Sequence, residues 1–195
     1  MASKVSIANG ALERLGEKRI ESLTQDDVRA RSMNANFDSV RDALLRKYDW
    51  GFAIRRASIA ADGSETLWGG HNRFGLPNDY IRLIRDDETG QAVDWRIEAG
   101  DEEGEGTYIV TDDASPLEIR YIARIEDPNR YDATFVEALE CALAMKSCKR
   151  ITGSDAYKAD VARDFAEAIA EAKRTGAIEK KAQEAPEDDW LNARL

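Results

Sequence analysis

Histidine is almost absent from this chain: His71 is the only one among 195 residues. Cysteine numbers two and proline four. A classical triad would therefore have to use His71, which lies in the run Trp68-Gly69-Gly70-His71-Asn72-Arg73, and the chain has no nucleophile elbow. A turn or surface histidine is the expectation. One histidine and two cysteines at helical spacing cannot make up a zinc set either. Cys141 and Cys148 sit inside a helical pattern. That stretch of helix spans about 10.5 Å at ~1.5 Å per residue, more than the roughly 7 Å a disulfide allows between Cα atoms. Both are expected as free core thiols. No apolar run approaches the ~18 to 20 residues of a membrane helix, and Met1-Ala2-Ser3-Lys4 leads straight into an amphipathic pattern. The expectation is a soluble protein made in a cytoplasm, with no membrane partner. Neither the Rossmann glycine pattern nor a Walker loop is present, so no cofactor is expected.

Positive charge is also in deficit, at 28 Lys+Arg against 38 Asp+Glu, a net −10. The deficit is local. Between Asp86 and Glu118 stand twelve acids and one base, Arg96, so that window carries −11 and the remainder about +1. Such a segment repels phosphates. It reads as a solvated β region or a functional acidic surface, with Asp101, Glu102, Glu103, Glu105, Asp112 and Asp113 as the candidate surface residues. Asp101-Glu102-Glu103-Gly104-Glu105 lacks the alternating ligands of a calcium loop and suits a hairpin better.

What is present is enough apolar residue, 43%, to build a core. Val5, Ala8, Leu12 and Leu15 recur at helical steps over residues 3–15, and Gly16 stops that helix. Thr24 is placed to cap a second helix running to about Tyr48, with Asp26 and Asp27 in its first turn and Met33, Phe37, Val40, Leu44 and Tyr48 as its buried stripe. Trp50, Phe52 and Ile54 then alternate with Gly51 and Ala53, which predicts a strand. Nine of the thirteen glycines fall between residues 50 and 125. Short strands are expected there over 80–84, 93–97, 108–111 and 117–123. Helical period returns after Asp127-Pro128, through Phe135, Leu139 and Leu143 to Ile151, and Gly153 ends it. Ser154 is placed to cap a fourth helix, with Val161, Phe165 and Ala168 on its stripe and Gly176 at its end. The predicted fold is α+β, mainly α: a four-helix bundle from N- and C-terminal helix pairs, with a β-rich insert and an extended C-terminal tail. The expected units are 1–49 (helix pair), 50–125 (insert), 126–176 (helix pair) and 177–195 (tail).

In the tail, Trp190-Leu191 follows the acidic run Glu187-Asp188-Asp189. A large aromatic at the end of a polar run either folds back on its own domain or anchors on a neighbouring chain. Trp190, Leu191, Arg194 and Leu195 are the candidate partner-interface residues.

Six elements stand in order along the chain: Ala11-Leu12-Glu13-Arg14-Leu15-Gly16 through Ile20 and Leu23; Val40-Arg41-Asp42-Ala43-Leu44-Leu45-Arg46; Trp50-Gly51-Phe52-Ala53; Leu76-Pro77-Asn78-Asp79-Tyr80-Ile81-Arg82; Tyr121-Ile122-Ala123-Arg124 with Asp127-Pro128 and Phe135 to Leu139; and Trp190-Leu191-Asn192-Ala193-Arg194. Taken together, they resemble the tail tubular protein A family of short-tailed bacteriophages. Phe74-Gly75 departs from the family's aromatic-aliphatic pair, and residues 86–118 match only loosely. The resemblance implies a structural virion protein of the neck: an adaptor ring of this chain, usually twelve-fold, joining the portal protein to the tail nozzle protein. Genomic DNA would pass through its lumen without specific binding. It implies no catalytic residues.

Two other classes fit parts of the sequence. A cytoplasmic helical regulator would bind nucleic acid through Arg46, Lys47, Arg55 and Arg56 beside Trp50 and Phe52. A glycoside hydrolase needs only a suitably spaced carboxylate pair, a signal of little weight among 38 acids.

Overall fold

A computed structural model of the chain describes residues 2–65, 71–84, 95–100 and 106–179. Helix α1 (Lys4–Arg14) opens on a reciprocal cap: the Ser3 hydroxyl accepts the Ser6 N–H at 3.0 Å, and the Ser6 hydroxyl accepts the Ser3 N–H at 2.8 Å. It closes at Gly16, whose φ of +69° lets its own N–H and that of Glu17 turn back onto the carbonyls of Glu13 and Leu12. Asn9 then braces the return segment by bonding both the N–H and the C=O of Ile20, at 2.8 and 3.0 Å.

Helix α2 (Val28–Lys47) starts later than expected, with Asp27 rather than Thr24 as its cap. The Gln25 side chain takes the N–H groups of Glu21 and Ser22 and folds that stretch into a turn. Asp27 accepts the Arg29 N–H at 2.7 Å and pairs with its guanidinium at 2.6 Å, which lowers its pKa to about 2. The strand expected to begin at Trp50 is a 3-10 turn over Gly51–Ala53, with strand β1 (Ile54–Ile59) after it. The Trp50 indole donates to the Leu44 carbonyl at 3.0 Å, and that anchor fixes the turn against the end of α2.

The remaining strands are β2 (Ala61–Glu65), β3 (Asn72–Gly75), β4 (Tyr80–Leu83), β5 (Arg96–Ala99), β6 (Thr107–Thr111) and β7 (Leu117–Ala123). They form two antiparallel sheets, ordered β1-β7-β4 and β2-β3-β6-β5. The buried residues of β7 are not confined to one face, because Ile122 is buried as fully as Ile119 and Tyr121. Helix α3 (Ala133–Thr152) is capped by Asp132 and ends at Gly153, with φ +71°. Helix α4 (Lys158–Glu179) runs through Gly176 instead of stopping there, and Ser154 bonds within the connecting turn rather than capping it.

This architecture corrects the expected one. The protein is not a four-helix bundle of N- and C-terminal pairs with a β insert. It has four helices and two antiparallel sheets, with half of the described residues helical and 22% in strands. The physical reason lies in α3. Its buried residues, among them Phe135, Ala138, Cys141, Leu143, Ala144 and Cys148, surround the helix, so it takes α1, α2 and α4 as separate neighbours. Helices α1 and α2 scarcely touch each other. The sheet β1-β7-β4 is also no detached layer. Leu117, Ile119, Tyr121 and Ile122 belong to the same apolar cluster as Phe37, Leu45 and Phe135.

Two buried acids give this core a pH limit. Burial raises the Cys141 thiol to about 11 and the Tyr131 phenol to about 12, the latter against the pull of Arg41. Both groups ionise more easily in the unfolded chain, which therefore binds fewer protons in the alkaline window. Stability is expected to fall as pH rises from about 9 to 12, first through Cys141 and then through Tyr131. Melting curves of the protein and of Tyr131→Phe across that range check this. The substitution should flatten the upper part of the fall.

Candidate functional site

Four of the sequence segments singled out above meet where α2, the sheet β1-β7-β4 and the start of α3 converge. Asp79, in the Leu76–Arg82 segment, is their polar centre. Its carboxylate accepts from Arg55 at 2.5 Å and from the Tyr121 hydroxyl at 3.0 Å, and its backbone carbonyl accepts the Arg124 N–H at 2.6 Å. Arg124 pairs in turn with Asp42 at 3.0 Å. Asp42 also holds the Arg41 guanidinium at 2.8 Å, and Asp38 holds it from the other side at 2.8 Å. Arg41 is buried; desolvation opposes its charge, but the two carboxylates outweigh that and raise its pKa. Arg46 donates to the Ile81 carbonyl at 2.5 Å, and Arg82 pairs with Asp49.

Below this network lies an aromatic cluster. Phe135 meets Trp50, Phe52 and Tyr131 edge to face, with ring centroids at 4.9, 5.0 and 5.0 Å. The charged groups named here each bond another residue of the chain, and in doing so the junction joins α2, the sheet and the start of α3. Among the described residues no three His, Cys, Asp or Glu side chains are placed to hold a metal ion. No described helix is long and apolar enough to cross a membrane. Cys141 and Cys148 are free and buried.

A second polar cluster joins α1, α3 and α4. Arg14 lies 3.4 Å from Glu140 and 3.7 Å from both Glu137 and Asp164. Burial raises the Glu140 carboxyl above its usual range, with Arg14 opposing. An open cleft of about 540 Å³ borders it, lined by Ser6, Asn9, Gly10, Glu13, Arg19 and Glu140. Its charges are matched within it, Arg19 bonding Glu13 at 2.6 Å.

Of the sequence candidates, Trp190, Leu191, Arg194 and Leu195 lie outside the described residues, as do Asp101, Glu102, Glu103 and Glu105. Asp112 and Asp113 follow β6, on exposed backbone, but both have partners. Asp112 bonds the His71 ring at 2.5 Å, and Asp113 accepts the Trp95 indole N–H at 2.7 Å. The four basic candidates all have partners within the chain. Arg46 and Arg55 are tied to Ile81 and Asp79, and Lys47 sits 5.5 Å from the Tyr48 ring.

A feature the sequence reading missed lies beside Lys47. A groove of about 490 Å³ runs between the end of α2 and the C-terminal half of α4. Tyr48 lies in it, with Lys47 and Lys173 at 5.5 and 5.4 Å from its ring. The only hint in the sequence was Gly176, a glycine that fails to end the helix it was assigned to end.

Compared with models of known families and with curated proteins, the chain matches none.

Proposed function

We propose that this chain is a structural adaptor of a short-tailed phage virion, forming a ring that joins portal to tail nozzle around the exit path of the genome. What supports the reading is the order of six family-like segments along nearly the whole sequence. The junction gives a physical reason for four of them: Asp42, Trp50, Asp79, Arg124 and Phe135 hold one another in place. A cyclic ring uses two different faces of each copy, so a subunit can stay separate until it meets its template. A net charge of −10 keeps free copies apart. An acidic segment over 86–118, set on the lumen or the outer face, would let DNA pass without being gripped.

The regulator alternative has less support, because Arg46 and Arg55 are already engaged within the chain. The test is mass photometry of the purified chain with and without the purified portal protein. A ring-sized species appearing with portal is the expected result. A strictly monomeric chain in the presence of portal would overturn the reading, and salt-sensitive DNA binding by the monomer would favour the regulator.

A further inference from the structure

The groove at the end of α2 has features that the junction and the core do not explain. Lys47 and Lys173 share one tyrosine ring, yet neither has a carboxylate partner among the described residues. Arg46, Lys47, Arg82 and Lys173 line the groove against a single acid, Asp49, a local balance of +3 in a chain that is −10 overall. Gly176 also lines it, deep in the last turns of α4. A glycine inside a helix costs about 1 kcal/mol relative to alanine. Nothing among the described residues requires it here, because a Cβ at Gly176 would meet none of their atoms within 4 Å. A missing side chain facing a basic, partly aromatic groove is suited to a segment that lies close against the helix.

The chain carries a segment of the matching chemistry a short distance away. Between Ala182 and Leu191 it has four acids (Glu184, Glu187, Asp188 and Asp189), no base, and then Trp190-Leu191. The last described residue, Glu179, is less than one helical turn beyond Gly176, about 5 Å along the axis at ~1.5 Å per residue. From Glu179 to Trp190 the backbone reaches roughly 40 Å when fully extended, at ~3.6 Å per residue. The whole groove, back to Ile169, lies within that reach.

We propose that this groove is the docking site for the chain's own C-terminal segment, residues 187–191. The acids at 187–189 meet Lys47 and Lys173, and Trp190 enters beside Tyr48 and over Gly176. The proposal stands apart from the ring reading. It concerns the isolated subunit, and it would hold for a protein of any function.

The test uses the full chain, as an equal mixture of unlabelled and nitrogen-15-labelled copies, treated with a carbodiimide that joins touching amines and carboxylates. The expected product is an amide between Lys47 or Lys173 and a carboxylate at 187–189, with both halves carrying the same isotope. Trp190→Ala and Gly176→Leu should each lower its yield severalfold without lowering the melting temperature of the α1–α3 core. Mixed-isotope products would assign the groove to a second copy and overturn the proposal. So would the absence of tail products at both lysines, or yields unchanged in both variants.

Discussion

Replacing Phe135 with alanine is expected to destabilise the protein by about 4 kcal/mol and to lower its melting temperature by roughly 8 to 16 °C. The side chain is fully buried at the start of α3. Its deletion removes the transfer free energy of the ring and leaves a cavity whose walls cannot collapse freely. Trp50 is pinned by its indole bond to Leu44, and Tyr131 by its hydroxyl bond to Ile125 at 2.9 Å. The three edge-to-face contacts at 4.9 to 5.0 Å add about 0.5 to 1.5 kcal/mol each beyond area, not all of it additive. Phe135→Leu keeps most of the volume and should cost well under half as much. Urea denaturation with an unchanged m-value separates lost stability from a changed unfolded state. A loss below about 1.5 kcal/mol for the alanine variant would mean that Phe135 does not couple the turn at Trp50 to α3.

The contrast between the elements that were legible in the sequence and those that were not has a physical basis. Apolar spacing at three and four residues marks a buried helix face, so α1, α2 and α3 were legible within a few residues. Gly16 and Gly153 marked two ends because both adopt a positive φ that other residues avoid. Gly176 misled because glycine is tolerated inside a helix at a cost, and only the structure shows the space beside it. The helix pairing was misread for another reason. Spacing reports that a face is buried and says nothing of which neighbour buries it. The clue was the breadth of the apolar surface on α3, where Phe135, Cys141 and Leu143 cannot all face one partner. Strand β2 escaped because Ala61–Glu65 carries no alternation of apolar and polar residues. The Tyr48 groove joins residues more than a hundred positions apart, and surface lysines such as Lys173 give no signal of their own.

Asp79 offers the sharpest test of how the junction is held. Asp79→Ala is expected to cost about 3 kcal/mol, and the reason is Tyr121 more than Arg55. The Arg55 side chain is 39% exposed, so its ion pair is screened and contributes at most about 1 kcal/mol. The Tyr121 ring is buried, and its hydroxyl has Asp79 as acceptor at 3.0 Å. Burial, and next the Asp79 carboxylate, hold that phenol above its usual pKa, so it remains a donor throughout the neutral range. Removing the acceptor strands a buried donor, which costs about 1 to 3 kcal/mol by itself. Tyr121→Phe removes the donor instead and should cost only about 1 kcal/mol. The double variant should therefore fall about 1 kcal/mol short of the sum of the two single losses, since no stranded hydroxyl is left to count. Asp79→Asn keeps an acceptor without the charge and should resemble Tyr121→Phe. Chemical denaturation of all four proteins reads the cycle. Strict additivity would mean that the Asp79 carboxylate acts through Arg55 and not through Tyr121.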